Sequence, residues 1–91
     1  MSEKEKQVIG KNLKYLRKMK GLTQQELANH LDIRRSSIGA YEECRATPRY
    51  DTLERISDFF TVSIDLLVKE DLSAYTEEEL RNEDARRGID T

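Results

Sequence analysis

Ninety-one residues suffice for one domain with a modest core and leave no room for a separate catalytic domain of ordinary size. Hydrophobic residues make up 36% and charged residues 37%, so a core forms only if the apolar positions share one face of each element. The net charge of −2 conceals a split: residues 1–50 carry 11 Lys or Arg against 6 Asp or Glu, and residues 51–91 carry 5 against 12. A chain so divided can meet an anionic partner with one side and repel it with the other.

Ser2 followed by Glu5 is a capping-box signature, and Ile9, Leu13 and Leu16 then recur at helical spacing until Gly21, which predicts a first helix. Thr23 with Glu26 repeats the signature ahead of Leu27, Ala28 and Leu31, a short second helix. Asp32 falls in a tight turn that calls for a left-handed backbone, which Asp tolerates better than most side-chain-bearing residues. From Arg34 to Glu43 only Ile38 and Tyr41 are expected to face inward, giving a third helix that is mostly solvent-facing. The small size of Ala28 suits a close crossing between the second and third helices.

Pro48 precedes a fourth helix on which Tyr50, Leu53, Ile56, Ser57 and Phe60 keep helical spacing. Val62 and Ser63 read as entry and cap of a fifth helix with Ile64 and Leu67. The prediction is an all-α, five-helix domain over residues 6–70, followed by an acidic tail, 71–91. In the tail Thr76 and Glu79 form a third capping box, with Arg86 and Arg87 before Gly88, so an extra helix is expected there. Its stripe of Tyr75, Leu80, Ala85 and Ile89 is too thin to fold alone. The tail is expected to pack on a partner, serve as a linker, or fray.

His30 and Cys44 each stand alone, so no zinc site and no internal disulfide is expected, and no cofactor is implied. The glycines are isolated rather than gathered into a phosphate-cradling loop, and no pair of side chains is poised for catalysis. The N-terminus lacks the apolar core of a signal peptide and the longest apolar run is Leu66–Val68, so a cytoplasmic protein away from membranes is expected.

The residues Leu22, Thr23, Gln24, Gln25, Glu26, Leu27 and Ala28, with Ile38, Tyr41, Glu42, Pro48, Leu53, Val62, Ser63 and Leu67, carry a resemblance. Over roughly residues 8–68 the chain resembles the lambda-repressor-like, Xre-type helix-turn-helix family of bacterial and phage transcriptional regulators. It departs from that pattern at Asp32 and Cys44, where glycine is usual, and at Arg34, where a Ser or Thr cap is usual.

The resemblance implies that the third helix enters the major groove of double-stranded DNA, with Arg34, Arg35, Ser36, Gly39 and Ala40 facing base edges. Arg35 is the strongest candidate reader, able to bond guanine O6 and N7 together, and Ser36 or Ser37 adds a weaker contact. Gln24, at the start of the second helix, is expected to hold a phosphate. Arg45, Thr47 and Arg49 are expected along the phosphate backbone or near the minor groove. The lysines of helix one, Lys11, Lys14, Lys18 and Lys20, read as a solvated face. Arg17 and Glu42 match a bracing ion pair of the family.

A two-fold homodimer on a near-palindromic operator is expected, with a surface built from Phe59, Ile64, Leu66, Val68 and the tail. A repressor is the reading that follows. The alternatives are an antitoxin or protein-interaction module whose acidic tail binds a protein, and the N-terminal piece of a larger signal-sensing repressor.

Overall fold

The computed structural model describes residues 1–81. Five helices follow one another: α1 Glu3–Met19, α2 Gln24–Leu31, α3 Arg35–Glu42, α4 Tyr50–Phe60 and α5 Ile64–Lys69. A single 3-10 turn, Leu72–Ala74, and a helical turn beginning at residue 77 complete the described chain, which contains no strand. Tail residues Ala85, Arg86, Arg87, Gly88 and Ile89 lie outside it.

The starts of these helices follow from their caps. Ser2 and Glu5 exchange bonds of 3.2 and 3.1 Å, Thr23 and Glu26 of 3.1 and 2.9 Å, and Thr76 and Glu79 of 3.1 and 2.9 Å. Each exchange satisfies two backbone donors that a helix end leaves orphaned. Ser63 caps α5 by accepting from the Leu66 amide at 3.0 Å.

Helices α1 to α4 all stop in the same way, on a left-handed residue: Gly21, Asp32, Cys44 and Thr61, with φ of 70°, 55°, 61° and 56°. The amide of the following residue then reaches back five positions, Leu22 to Arg17, Ile33 to Ala28, Arg45 to Ala40 and Val62 to Ser57. This is the hydrogen bond of a Schellman closure. Asp32 is left-handed as expected. Cys44 stands where the family's glycine has a conformational reason to be.

One core joins Ile9, Leu13 and Leu16 of α1 to Leu27, Ala28 and Leu31 of α2, Ile38 of α3, Leu53, Ile56 and Phe60 of α4, and Leu66 and Leu67 of α5. Complete burial of such a Leu or Ile contributes about 1.5–3 kcal/mol. Tyr50, expected on the apolar face of α4, is instead 66% exposed, and Thr52 takes the buried position in that turn. The stripe begins a turn later than the spacing suggested, because Tyr50 is the first residue of its helix.

Leu66 and Val68, expected on a dimer surface, are buried in this core. The tail also differs from expectation: up to residue 81 it packs on its own domain, with Leu72 and Leu80 fully enclosed and Tyr75 packed against the cluster. Buried Asn12 fastens it. Its amide donates to the carbonyls of Leu67 at 2.8 Å and Glu70 at 2.6 Å, and its oxygen accepts from the Leu72 amide at 2.9 Å. The Tyr15 hydroxyl donates to the Tyr75 carbonyl at 2.6 Å. Lys11 meets Asp71 at 3.9 Å and Lys20 meets Glu77 at 3.0 Å, so two of the four lysines expected on a solvated face meet tail carboxylates rather than open solvent.

Candidate nucleic-acid interface

Arg17, Glu42, Gln24 and Arg35 form one continuous network across α1, α2 and α3. The Glu42 carboxylate accepts from Arg17 Nε at 2.7 Å and from Arg17 Nη2 at 3.1 Å, a bidentate pair. Arg17 also donates to the Leu22 carbonyl at 2.7 Å. The two side chains are 11% and 3% exposed, so the charges are held by hydrogen bonds rather than by water. At such burial, loss of either partner strands the other and costs about 3–5 kcal/mol. The expected brace between α1 and α3 is present.

Gln24 extends the brace to the surface. Its Nε2 donates to Glu42 Oε1 at 3.1 Å, and its Oε1 accepts from Arg35 Nη1 at 2.9 Å. Arg35 is the first residue of α3 and exposed, so one edge of its guanidinium is held while the side chain stays accessible. Gly39 lies one turn further along α3. A Cβ built there would sit 3.8 Å from Gln24 Oε1 and 3.9 Å from Glu43 Oε2. Gly39 is therefore buried beneath these two side chains rather than open to a groove.

The remaining predicted contacts divide by exposure. Arg34, Ser36, Arg45 and Arg49 are exposed, and Ser37, Ala40 and Thr47 are half-buried. Arg45 pairs with Glu43 at 3.0 Å, which carries the patch from Arg35 past Gly39 to the loop after α3. Pro48 is buried and fixes that loop ahead of α4.

Helices α3 and α4 differ from the others at their N-termini. Arg34 and Arg49 are their N-cap residues, and neither supplies a side-chain cap. Helices α1, α2 and α5 are closed by Ser2, Thr23 and Ser63. An uncapped N-terminus flanked by arginine attracts anionic oxygen through its amide groups and through the side-chain charge. At α2 the amides of Thr23 and Glu26 are already bonded within the capping box, and the Thr23 backbone amide holds the Glu26 carboxyl below its usual pKa.

The turn between α2 and α3 has a support that no local pattern announces. Arg55 of α4 donates to the Leu31 carbonyl at 3.2 Å, meeting the negative end of α2 where its last carbonyls lack partners. Asn12 did leave a trace, a polar side chain set within the Ile9, Leu13 and Leu16 stripe.

Two short helices joined by a tight left-handed turn, with an exposed arginine opening the second, define a helix-turn-helix domain. Comparison with known proteins agrees: residues 10–71 match the helix-turn-helix domain family, and the chain belongs to it, among the lambda-repressor-like, Xre-type transcriptional regulators. It is 45% identical over 62 residues to an uncharacterised HTH-type transcriptional regulator, YqaE, of Bacillus subtilis (strain 168), covering 68% of this chain and 53% of that one. It is 37% identical over 82 residues to the HTH-type transcriptional regulator ImmR of the same organism, covering 89% and 65%. It is 40% identical over 75 residues to the HTH-type transcriptional activator BcrR of Enterococcus faecalis, covering 81% and 37%. The matched part is thus about half to two thirds of the length of the first two relatives. No solved structure matches the chain. No helix among the described residues is long and apolar enough to cross a membrane.

Proposed function

We propose that this chain binds double-stranded DNA in a sequence-dependent way, seating the N-terminal end of α3 in the major groove as part of a transcriptional regulator. The observation that carries the reading is Arg35: exposed, first in α3, and held by Gln24 against a buried ion pair. An arginine so held presents a pre-aligned fork to guanine O6 and N7. The uncapped starts of α3 and α4, with Arg34, Arg49 and nearby Arg45, supply phosphate contacts that set register without reading sequence. Gln24, Ser36, Ser37, Ala40 and Thr47 complete the contact set, and Gly39 contributes by leaving room.

The protein acts as a two-fold dimer spacing two α3 helices about 34–36 Å apart on a near-palindromic operator. With Leu66 and Val68 taken up by the core, the dimer surface is narrowed to Phe59 and Ile64, both half-buried, with His30 stacked on Phe59 at 4.9 Å. Repression by occluding polymerase is the simplest output. Activation is the second reading, favoured by the likeness to a relative named as an activator.

Selection of bound duplexes from a random pool tests this reading. An enriched two-fold motif is expected, with affinity falling by about 0.9 log units per log unit of salt for each phosphate neutralised. Arg35→Ala is expected to erase the preference at one base pair of each half-site. A pool that stays random at low ionic strength would sink the reading.

A further inference from the structure

The network behind Arg35 has a direction. Glu42 is a carboxylate whose buried oxygens accept hydrogen bonds and donate none. Gln24, lying against Glu42 Oε1 at 3.1 Å, must turn its NH2 group toward that oxygen. The amide oxygen is thereby left facing the start of α3, where Arg35 Nη1 reaches it at 2.9 Å. A flipped amide would set oxygen against carboxylate and NH2 against guanidinium, losing both bonds and adding two like-sign contacts. We infer that Glu42, enclosed behind Gln24, sets base specificity by fixing the polarity of the Gln24 amide and so the aim of the Arg35 fork.

Three observations support this assignment. Arg17 grips both Glu42 oxygens and holds the carboxylate in one plane. The Gln24 amide lies across α3 at Gly39, and even a Cβ there would stand 3.8 and 4.0 Å from it, at ordinary contact distance. Arg35 has no ion-pair partner among the described residues, so the Gln24 oxygen is what orients it. Glu42 and Gln24 are positioning residues in this account. Glu42 acts wholly through its neighbours, and Gln24 adds this role to its phosphate contact.

The inference rests on Arg35 as a reader, and the experiment separates the two claims. The full chain is tested against a fully randomised duplex pool as wild type, as Arg35→Ala, as Gln24→Met, and as Arg17→Met with Glu42→Met. The double change removes the buried pair together, so no charge is stranded and the fold is retained, which thermal melting verifies. Gln24→Met leaves the Arg17–Glu42 pair in place.

Arg35→Ala is expected to abolish one base preference. Gln24→Met and the double variant are both expected to weaken the preference at that same pair by about fivefold, a part of what a bidentate arginine supplies. Preferences at the other pairs should persist, and the double variant should also keep the salt dependence. If Arg35→Ala abolishes the preference but the other two variants leave it intact, the polarity relay is overturned and the reader stands. If Arg35→Ala changes no preference, the reading beneath both is overturned.

Discussion

A Cβ placed on Gly10 would lie 2.5 Å from the Tyr41 carbonyl oxygen and 2.9 Å from the Cys44 sulfur. Neither neighbour can yield cheaply, because the carbonyl belongs to α3 and Cys44 is pinned in the left-handed turn that ends it. Gly39 is the opposite case, since its Cβ would meet nothing closer than 3.8 Å. Glycine inside a helix costs about 1 kcal/mol relative to alanine, and at position 39 nothing steric offsets that cost. Gly39→Ala is therefore expected to raise stability by about 1 kcal/mol, and Gly10→Ala to lower it by about 2–3 kcal/mol as overpacking. Urea unfolding of the two variants checks this, and a Gly10→Ala protein as stable as the parent would show that α1 and α3 are not locked at this contact. DNA selection with Gly39→Ala adds a second measurement, because the alanine methyl still leaves the Gln24 amide its seat and should spare base preference.

Helix starts were legible because their cause is local: Ser2 with Glu5, Thr23 with Glu26 and Thr76 with Glu79 each meet within four residues. The left-handed turn at Asp32 was legible for the same reason. The contacts that hold the elements together were not, since Asn12 reaches partners 55 to 60 residues away and no local spacing encodes them. Arg17 with Glu42 became visible through the family resemblance, and even then the link through Gln24 to Arg35 depended on a side-chain path that crosses Gly39. The local caps also give the elements a pH dependence. Backbone amides of Ser2 and Thr23 hold the Glu5 and Glu26 carboxyls below their usual value of 4.5, Ser73 lowers Asp71, and the Lys20 ammonium lowers Glu77. A folded-state pKa below the unfolded one stabilises the protein above the unfolded value, and the stabilisation is lost as pH falls through the folded value. Stability is thus expected to be level in this respect near neutrality and to decline below about pH 4.5. Glu26→Gln keeps an acceptor for the Thr23 amide but cannot titrate, so thermal melts across this range should show a shallower acid decline than the parent. An unchanged decline would remove Glu26 from the linkage.

The family match ends at residue 71, while the core runs on to Leu80. On α1, Asn12 and Tyr15 bind the chain after α5, and Lys11, with Lys20 just past the helix end, pairs with its acidic side chains. The same helix carries Arg17, which braces the α3 network. Helix α1 is therefore a shared wall, with the tail on one side and the reading helix on the other. A chain ending at Glu70 would lose the burial of Leu72 and Leu80, each worth about 1.5–3 kcal/mol. It would also leave the Asn12 oxygen without its bond to the Leu72 amide, an orphaning worth about 1–3 kcal/mol if that oxygen stays dry. Small domains are stable by only about 5–15 kcal/mol, so the shortened chain should retain the fold at reduced stability, about 4 kcal/mol below the parent once water reaches the vacated surface. Urea unfolding of both chains measures this, and the slope should fall along with the midpoint because less surface is exposed on unfolding. If the midpoints coincide, the segment from Asp71 to Leu80 is an appendage and α1 needs no tail to stand. If DNA affinity is retained at temperatures where the shortened chain is still folded, the tail's contribution is to the integrity of the wall and not to the contact with DNA.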